Sequence, residues 1–344
     1  MLRLNHICAK FAPTIRQKST NVLELLNNRS LIQVAGNEVA DFLQGLITND
    51  INHLNNGNES MYAMFLNTKG RVMYDTLVYK GVEPNCYLLE CDSEIVQSLQ
   101  KHLKLYRVRR KIDIKLLDDS CIYALFDADQ SSKESHKSKG LDGIIVPCNT
   151  LNETQPYTVF SKHIGDISIY QDPRIIALGL RVVAPKGYDV LGEISNGTDV
   201  KLEQSKYREF RYHLGVGEGV TDLPPGNCLP LEANCDYLHG VSFHKGCYIG
   251  QELTARTHHT GVVRKRLMPI HLDKPLEDIP EEKNIVLDKV NLGKFRGSVG
   301  CTGLALLRIA QAIECQGIPI GNSLATTGKP TWWPLEAPKE KMSA

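Results

Sequence analysis

A chain of 344 residues exceeds what one hydrophobic core usually serves, so two or three packed units are expected. With 42% hydrophobic and 23% charged residues and a net charge of +1, it lacks the electrostatic footprint of a nucleic-acid binder, and no nucleic acid is expected as a partner. No stretch approaches the roughly 20 apolar residues of a membrane span, and ten scattered cysteines without a C-x-x-C pair point to a reducing compartment rather than a disulfide framework.

Residues 1–20 hold Arg3, Lys10, Arg16 and Lys18 and no acid, with Leu4, Ile7, Phe11 and Ile15 at helical spacing. A basic amphipathic segment of this kind reads as a mitochondrial transit peptide, the plainer alternative being a basic tail. From Leu31 to Val34 a strand is expected, then a helix opened by Gly36-Asn37-Glu38 with Val39, Phe42, Leu43 and Leu46 on one face, ending at Thr48-Asn49-Asp50. Met61–Leu66 and Val72–Tyr79 read as strands joined by the turn Asn67-Thr68-Lys69-Gly70. Tyr87–Glu90 reads as a further strand, Ser93–Tyr106 as a helix and Ile112–Ile114 as strand again. The polar stretch 127–143 reads as an exposed loop. An alternating run covers Ile175–Val183, and Val200–His213 reads as a helix leading into the loop Leu214–Gly219.

Past His259 the texture changes to short strand candidates separated by Gly and Pro: 262–272, 284–287, 293–297 and 304–309. That is the pattern of a small β-barrel or sandwich. Trp332-Trp333-Pro334 is expected to pack as an aromatic lid upon it.

Three places carry candidate chemistry. In Lys245-Gly246-Cys247-Tyr248-Ile249-Gly250-Gln251-Glu252 two glycines flank a thiol, so the backbone can present Cys247 at a bend. Lys245 and His244 lie close in sequence, and a cation favours the thiolate, the form that attacks electrophiles and binds metals. The other reading is a buried structural cysteine in a tight turn. One cysteine supplies one bond to a cluster. His244, His258, His259, Cys228 or Cys235 are local candidates for more, and a second chain is the alternative source.

The second place is Lys101–Lys111, six Lys or Arg in eleven residues. Lys104, Arg107, Arg109 and Arg110 suit an anionic ligand or an acidic partner face, and a solvated helix end explains them equally well. Third, Asp75 is a carboxylate among apolar strand residues, placed to hydrogen-bond a heterocycle nitrogen.

Several of these segments resemble one family. Phe42–Asp50, Leu66–Arg71 with Asp75, and Leu105–Arg109 are similar to the folate-dependent aminomethyltransferases such as the glycine cleavage T-protein. Lys245–Glu252 matches the K-G-C-Y-x-G-Q-E hallmark of the YgfZ-like branch, and Leu253–His259 with Gly293–Arg296 resembles its mitochondrial members. The resemblance covers about residues 25 to 335. It implies an α+β aminomethyltransferase-like fold, with two interleaved α+β lobes over 21–258 and a C-terminal β-barrel over 259–344, around a central folate-type pocket.

It also implies a mitochondrial matrix factor that matures [4Fe-4S] client proteins together with A-type iron–sulfur scaffold proteins. Cys247 becomes the thiolate at a shared [2Fe-2S] or [4Fe-4S] cluster or at a partner, with Lys245, Gly246, Tyr248, Gly250, Gln251 and Glu252 as its support. The folate-type pocket would use Asp75, Asn67, Arg211 and His213, with tetrahydrofolate and a bridging cluster as the implied cofactors. Two departures argue against catalysis. The family's paired hairpin acids read Tyr74-Asp75 here, and its pterin-anchoring Glu falls on His213 in Arg211-Tyr212-His213-Leu214-Gly215. The expectation is that the pocket persists without aminomethyl transfer, a folate-dependent one-carbon transferase being the enzymatic alternative.

Overall fold

The computed structural model describes residues 21–128, 161–194 and 200–334. The expected transit peptide and most of the expected 127–143 loop therefore lie outside the described residues.

In chain order the first elements are β1 (Asn21–Leu25), β2 (Arg29–Ala35), α1 (Val39–Gln44), α2 (Asn52–Asn55), β3 (Ser60–Leu66), β4 (Val72–Lys80) and β5 (Cys86–Asp92). They are followed by α3 (Val96–Arg107), β6 (Asp113–Leu116), β7 (Ser120–Asp127), β8 (Ser161–Ile164), β9 (Ile167–Gln171) and β10 (Leu180–Pro185). Next come α4 (Val190–Ile194), β11 (Val200–Leu202), α5 (Tyr207–Leu214), α6 (Gly219–Asp222) and α7 (Gln251–Thr260). The last stretch holds β12 (Lys265–Leu272), β13 (Asn284–Leu287), β14 (Val290–Val299), β15 (Thr302–Arg308), α8 (Ile309–Glu314), β16 (Ile318–Ile320) and β17 (Ser323–Thr327).

Three sheets organise them, ordered β3-β4-β5-β2-β6, β11-β1-β7-β10-β9-β8 and β13-β14-β15-β12-β17-β16. In the first, every residue of β3 is buried, because both faces are covered. The outer edge of β3 is not left open either. Ile47 bridges Phe65, and the Thr48 N–H donates to the Met64 carbonyl at 2.9 Å. An edge closed in this way cannot template pairing with another chain, and the segment closing it becomes the floor of the candidate site. On one face, α1 and α3 bury Val39, Phe42, Leu43, Val96, Leu99 and Leu103 in a core shared with β2–β6.

In the second sheet only β1 and β11 pair in parallel, Asn21 opposite Val200. This corrects the expected helix over Val200–His213, which begins only at Tyr207. Glu24 of β1 explains the late start: its carboxylate accepts the N–H groups of Lys206 and Tyr207 at 2.7 and 2.8 Å and so caps α5. The helix stops at Gly215, whose φ of +76° suits glycine at a helix end. The expected alternating strand over Ile175–Val183 is also shorter. A 3₁₀ turn occupies Ile176–Leu178, and Gly179 (φ +76°) passes so close to Leu125 that a Cβ would lie 2.2 Å from its carbonyl oxygen.

The third sheet curls until its end strands β13 and β16 approach, a nearly closed barrel. β12 to β15 fall where the Gly- and Pro-punctuated runs are, whereas β16 and β17, which no such run marks, complete the sheet. α7 runs across residues 258 and 259, and the first barrel strand starts at Lys265. Trp332 and Trp333 are buried in the core that includes the barrel strands, with the Arg266 guanidinium of β12 5.9 Å from the centroid of the Trp333 ring, and they also reach the neighbouring elements. The Trp332 indole N–H donates to the Leu214 carbonyl of α5 at 2.7 Å, while Trp333 meets Tyr237 edge-on.

No described helix is long and apolar enough to cross a membrane.

Candidate functional site

The loop 244–250 lies on the floor made by residues 44–49, about 200 positions earlier in the chain. Lys245 fastens it. Its ammonium donates to the carbonyls of Gln44 and Ile47 at 2.7 Å and of Asn49 at 2.8 Å. These acceptors include the C-terminal end of α1, where carbonyls lack helical partners and a cation is favoured. Only a protonated amine has three donors to satisfy all three. Burial pulls the Lys245 pKa down to about 8 against an opposing pull from Asp50, which still leaves it charged at neutral pH. The ammonium also sits 5.0 Å from the centroid of the Tyr248 ring.

Two residues from Cys247 in sequence, Lys245 is expected beside the thiol. The structure gives it to the floor.

Further bonds complete the dock. The Ile249 N–H donates to the Gly45 carbonyl at 3.1 Å, and the Ser242 N–H to the Thr48 carbonyl at 3.1 Å. Thr48 Oγ1 donates to the Gly240 carbonyl at 2.6 Å, and Asn49 Nδ2 to the carbonyls of Tyr62 and His239 at 2.8 Å each. Thr48 and Asn49 were read only as a helix end. Nothing local in Ile47-Thr48-Asn49 announces that a distant loop will bond to its backbone.

The two glycines of the motif play different parts. Gly250 takes φ +79° at the N-cap of α7, and a Cβ there would lie 2.3 Å from the Asn67 carbonyl oxygen. It is therefore the contact point with the β3–β4 hairpin, whose Gly70 faces it with φ +73°. Gly246 has open space around it and no positive φ, so the expectation of a glycine-made bend on both sides of the cysteine holds only on the C-terminal side. Gln251 folds back so that its side-chain Oε1 accepts the Tyr248 N–H at 3.2 Å, and Tyr248 is buried. Glu252 is exposed in the first turn of α7.

Between these anchors Cys247 is exposed. The buried-cysteine reading is excluded. Cys228 and Cys235 are both buried, and burial is the largest influence raising each thiol, Cys228 to about 12. Such thiols are poor ligands. His244, His258 and His259 are exposed, with Phe243 stacked on His258 at a centroid distance of 3.5 Å. Burial, His259 and His244 lower the His258 pKa, Asp236 opposing them. Among the described residues no three His, Cys, Asp or Glu side chains are arranged to hold a metal ion.

The residues expected at a folate-type pocket have different surroundings. Asp75 and Arg211 join one buried ion network. Both Asp75 oxygens accept the Gly219 N–H at 3.2 and 3.1 Å, with Arg29 Nη1 at 3.8 Å. Desolvation raises the Asp75 pKa, with Arg29 opposing. Arg211 donates to Asp222 Oδ2 at 2.9 Å and to the Val216 carbonyl at 2.8 Å. Glu218 sits at the centre, within 2.8 Å of Arg174 and 3.6 Å of Arg211, and bonded to Arg181.

Among the described residues, Asn67 and His213 show no bond to that network. The Asn67 Oδ1 accepts the Lys69 and Arg71 N–H groups at 3.0 Å and closes the hairpin turn. His213 is exposed on α5, while its neighbours Arg211 and Tyr212 are buried. Asp75 and Arg211 are thus engaged by protein partners, while Asn67 closes a turn and His213 faces solvent. The network itself went unread, because its members are spread from Arg29 to Asp222 without a local pattern.

Lys104, Arg109 and Arg110 are exposed at the end of α3 and beyond it, and Arg107 donates to the Ile112 carbonyl at 3.0 Å.

Comparison with known proteins places this arrangement. Residues 264–335 match the family model described as the C-terminal β-barrel domain of CAF17. The crystal structure of the glycine cleavage system aminomethyltransferase T from Bartonella henselae superposes with a TM-score of 0.65 at 14% identity, covering 90% of this chain and 85% of that one. The fold is thus aminomethyltransferase-like. The mitochondrial iron–sulfur cluster assembly factor IBA57 of Mus musculus is 36% identical over 91% of this chain and 85% of its own length. Its Homo sapiens counterpart is 36% identical over 90% and 84%. The homologue from Dictyostelium discoideum is 32% identical over 71% and 61%. With an exposed thiol on an anchored loop, an aminomethyltransferase-like frame and this degree of identity along nearly its whole length, the chain belongs to the IBA57 family of mitochondrial iron–sulfur cluster assembly factors.

Proposed function

We propose that this protein helps mature [4Fe-4S] proteins in the mitochondrial matrix, with the Cys247 thiolate binding a cluster jointly with an A-type scaffold protein. The observation that carries the reading is the exposure of Cys247 on a loop whose flanks are fastened at Lys245 and Gly250. A fastened loop holds the sulfur in one place without spending partner-binding energy on ordering it. The cluster is cargo in this scheme. One thiolate makes one bond to iron, and the partner supplies the others. Aminomethyl transfer would need a carboxylate free to engage the substrate, whereas Asp75 is occupied by Gly219 and Arg29.

Anaerobic reconstitution tests the proposal. Wild-type chain mixed with an A-type scaffold, ferrous iron and sulfide should give a coloured heterocomplex that survives gel filtration. A Cys247→Ser variant should give none. A Cys247→Ser complex of the same colour and stoichiometry would remove Cys247 from the cluster.

A further inference from the structure

The end of α3 is built in a way that its packing does not explain. A turn follows the helix, closed by the Arg110 N–H donating to the Arg107 carbonyl at 3.0 Å. Val108 occupies the first inner position at φ 52° and ψ −107°. This is close to the geometry of a type II′ turn, whose first inner residue is usually glycine. A β-branched side chain is strained there, and strain of this kind persists at sites that use it. No burial compensates: Val108 is 77% exposed, and Leu105, one turn earlier, is 73% exposed.

Cations surround this apolar pair. Lys101, Lys104, Arg107, Arg109, Arg110 and Lys111 flank it, and no acid occurs between residues 101 and 112. None of the six is in an ion pair among the described residues. The chain as a whole has a net charge of only +1, so this is a local excess.

The ridge lies beside the Cys247 loop. The Arg110 guanidinium is 5.9 Å from the centroid of Phe42 on α1, and three residues along that segment the Gly45 carbonyl accepts the Ile249 N–H. Three helical residues rise about 4.5 Å. Tyr106 and Ile249 also pack against the same core.

We propose that this ridge is the docking surface for the protein that completes the cluster at Cys247, met by an acidic face of that protein bearing apolar side chains for Leu105 and Val108. The proposal rests on the shared-cluster reading of Cys247. An anionic bilayer would also attract cations. A protein is favoured because only two apolar side chains project, and because the adjacent thiol needs ligands that a bilayer cannot give.

Binding of the cluster-free A-type scaffold is the test, followed by calorimetry at low and moderate salt. Wild type should bind in a salt-sensitive manner. The charge-reversed variant K104E/R109E/R110E should bind at least tenfold more weakly, with a flatter salt dependence. Val108→Gly keeps the turn, relieves the strain and removes the apolar contact. It should raise the melting temperature while weakening binding several-fold, a pairing that a merely structural turn residue would not produce. Cys247→Ser should bind the cluster-free scaffold as wild type does, which separates failure of docking from failure of the cluster assignment. Equal affinities for wild type and the charge-reversed variant, or no salt-sensitive binding by wild type, would overturn the proposal. So would loss of binding to phosphatidylcholine vesicles with about 30% phosphatidylserine while scaffold binding is unchanged, which would assign the ridge to a membrane surface.

Discussion

Substituting Lys245 by Met separates two roles for this lysine. The change keeps an unbranched stem of similar length and removes the three donors to Gln44, Ile47 and Asn49. Hydrogen bonds to a charged group contribute about 1.5–3 kcal/mol each when buried. Here the lysine is only partly buried, and water can replace it at some of the carbonyls, so the three together are worth about 2–4 kcal/mol. For roughly 300 ordered residues with an unfolding entropy near 2.1 cal/mol/K per residue, that loss lowers the melting temperature by about 3–6 °C. Hydrogen exchange should show faster opening of the Ile249 and Ser242 amides, which bond to the same floor. Alkylation of Cys247 measured against pH supplies the second arm. Because the ammonium points into the floor, the pH profile should be the same in variant and wild type. A Lys245→Met protein of unchanged stability whose alkylation profile moves to higher pH would refute the clamp and restore Lys245 as the activator of the thiol.

The remaining predictions concern the frame and the sulfur. Gly250→Ala should destabilise by about 2–4 kcal/mol, since it adds the strain of a positive φ to a Cβ lying 2.3 Å from the Asn67 carbonyl oxygen; thermal melting checks this, and Gly246→Ala, which meets open space, is the control. Glu218→Gln should cost about 3–5 kcal/mol by leaving Arg174 and Arg181 buried with Asp172 but without the Glu218 charge. Burial opposes ionisation of Glu218, but Arg181, Arg174, Arg211 and Arg29 outweigh it and hold its pKa well below the ordinary 4.5. The carboxylate's contribution is therefore complete above about pH 4.5 and is lost as pH falls toward the folded-state value, so the stability gap between wild type and Glu218→Gln should narrow in acid denaturation series. Cys247→Ser should melt within about 0.5 kcal/mol of wild type, because the side chain is exposed; a larger loss would reveal a structural duty for the thiol.

The amino-acid sequence by itself determined the elements whose signals are local. The hairpin around Asn67–Gly70, the apolar stripe of α3 and the short barrel strands with Gly and Pro between them all depend on neighbours a few residues apart, so periodicity and turn chemistry reveal them. It also singled out Cys247, through a Gly-flanked motif and a family likeness. What it misplaced depends on distant partners. β11 is a strand only because β1 offers an edge, and α5 starts where it does only because Glu24 caps it. His213 was drawn into a pocket by its place in a motif, yet on α5 it falls on the face opposite the buried Arg211 and Tyr212.

Lys245 shows the reason most clearly. Two residues from a thiol in sequence, it had an obvious local partner. Its acceptors, 196 to 201 positions away, became available only when the edge of β3 was closed by Ile47–Asn49. The sequence singled out the loop that holds Cys247. Tertiary structure decided that the lysine anchors that loop and that the cysteine is the group left facing outward.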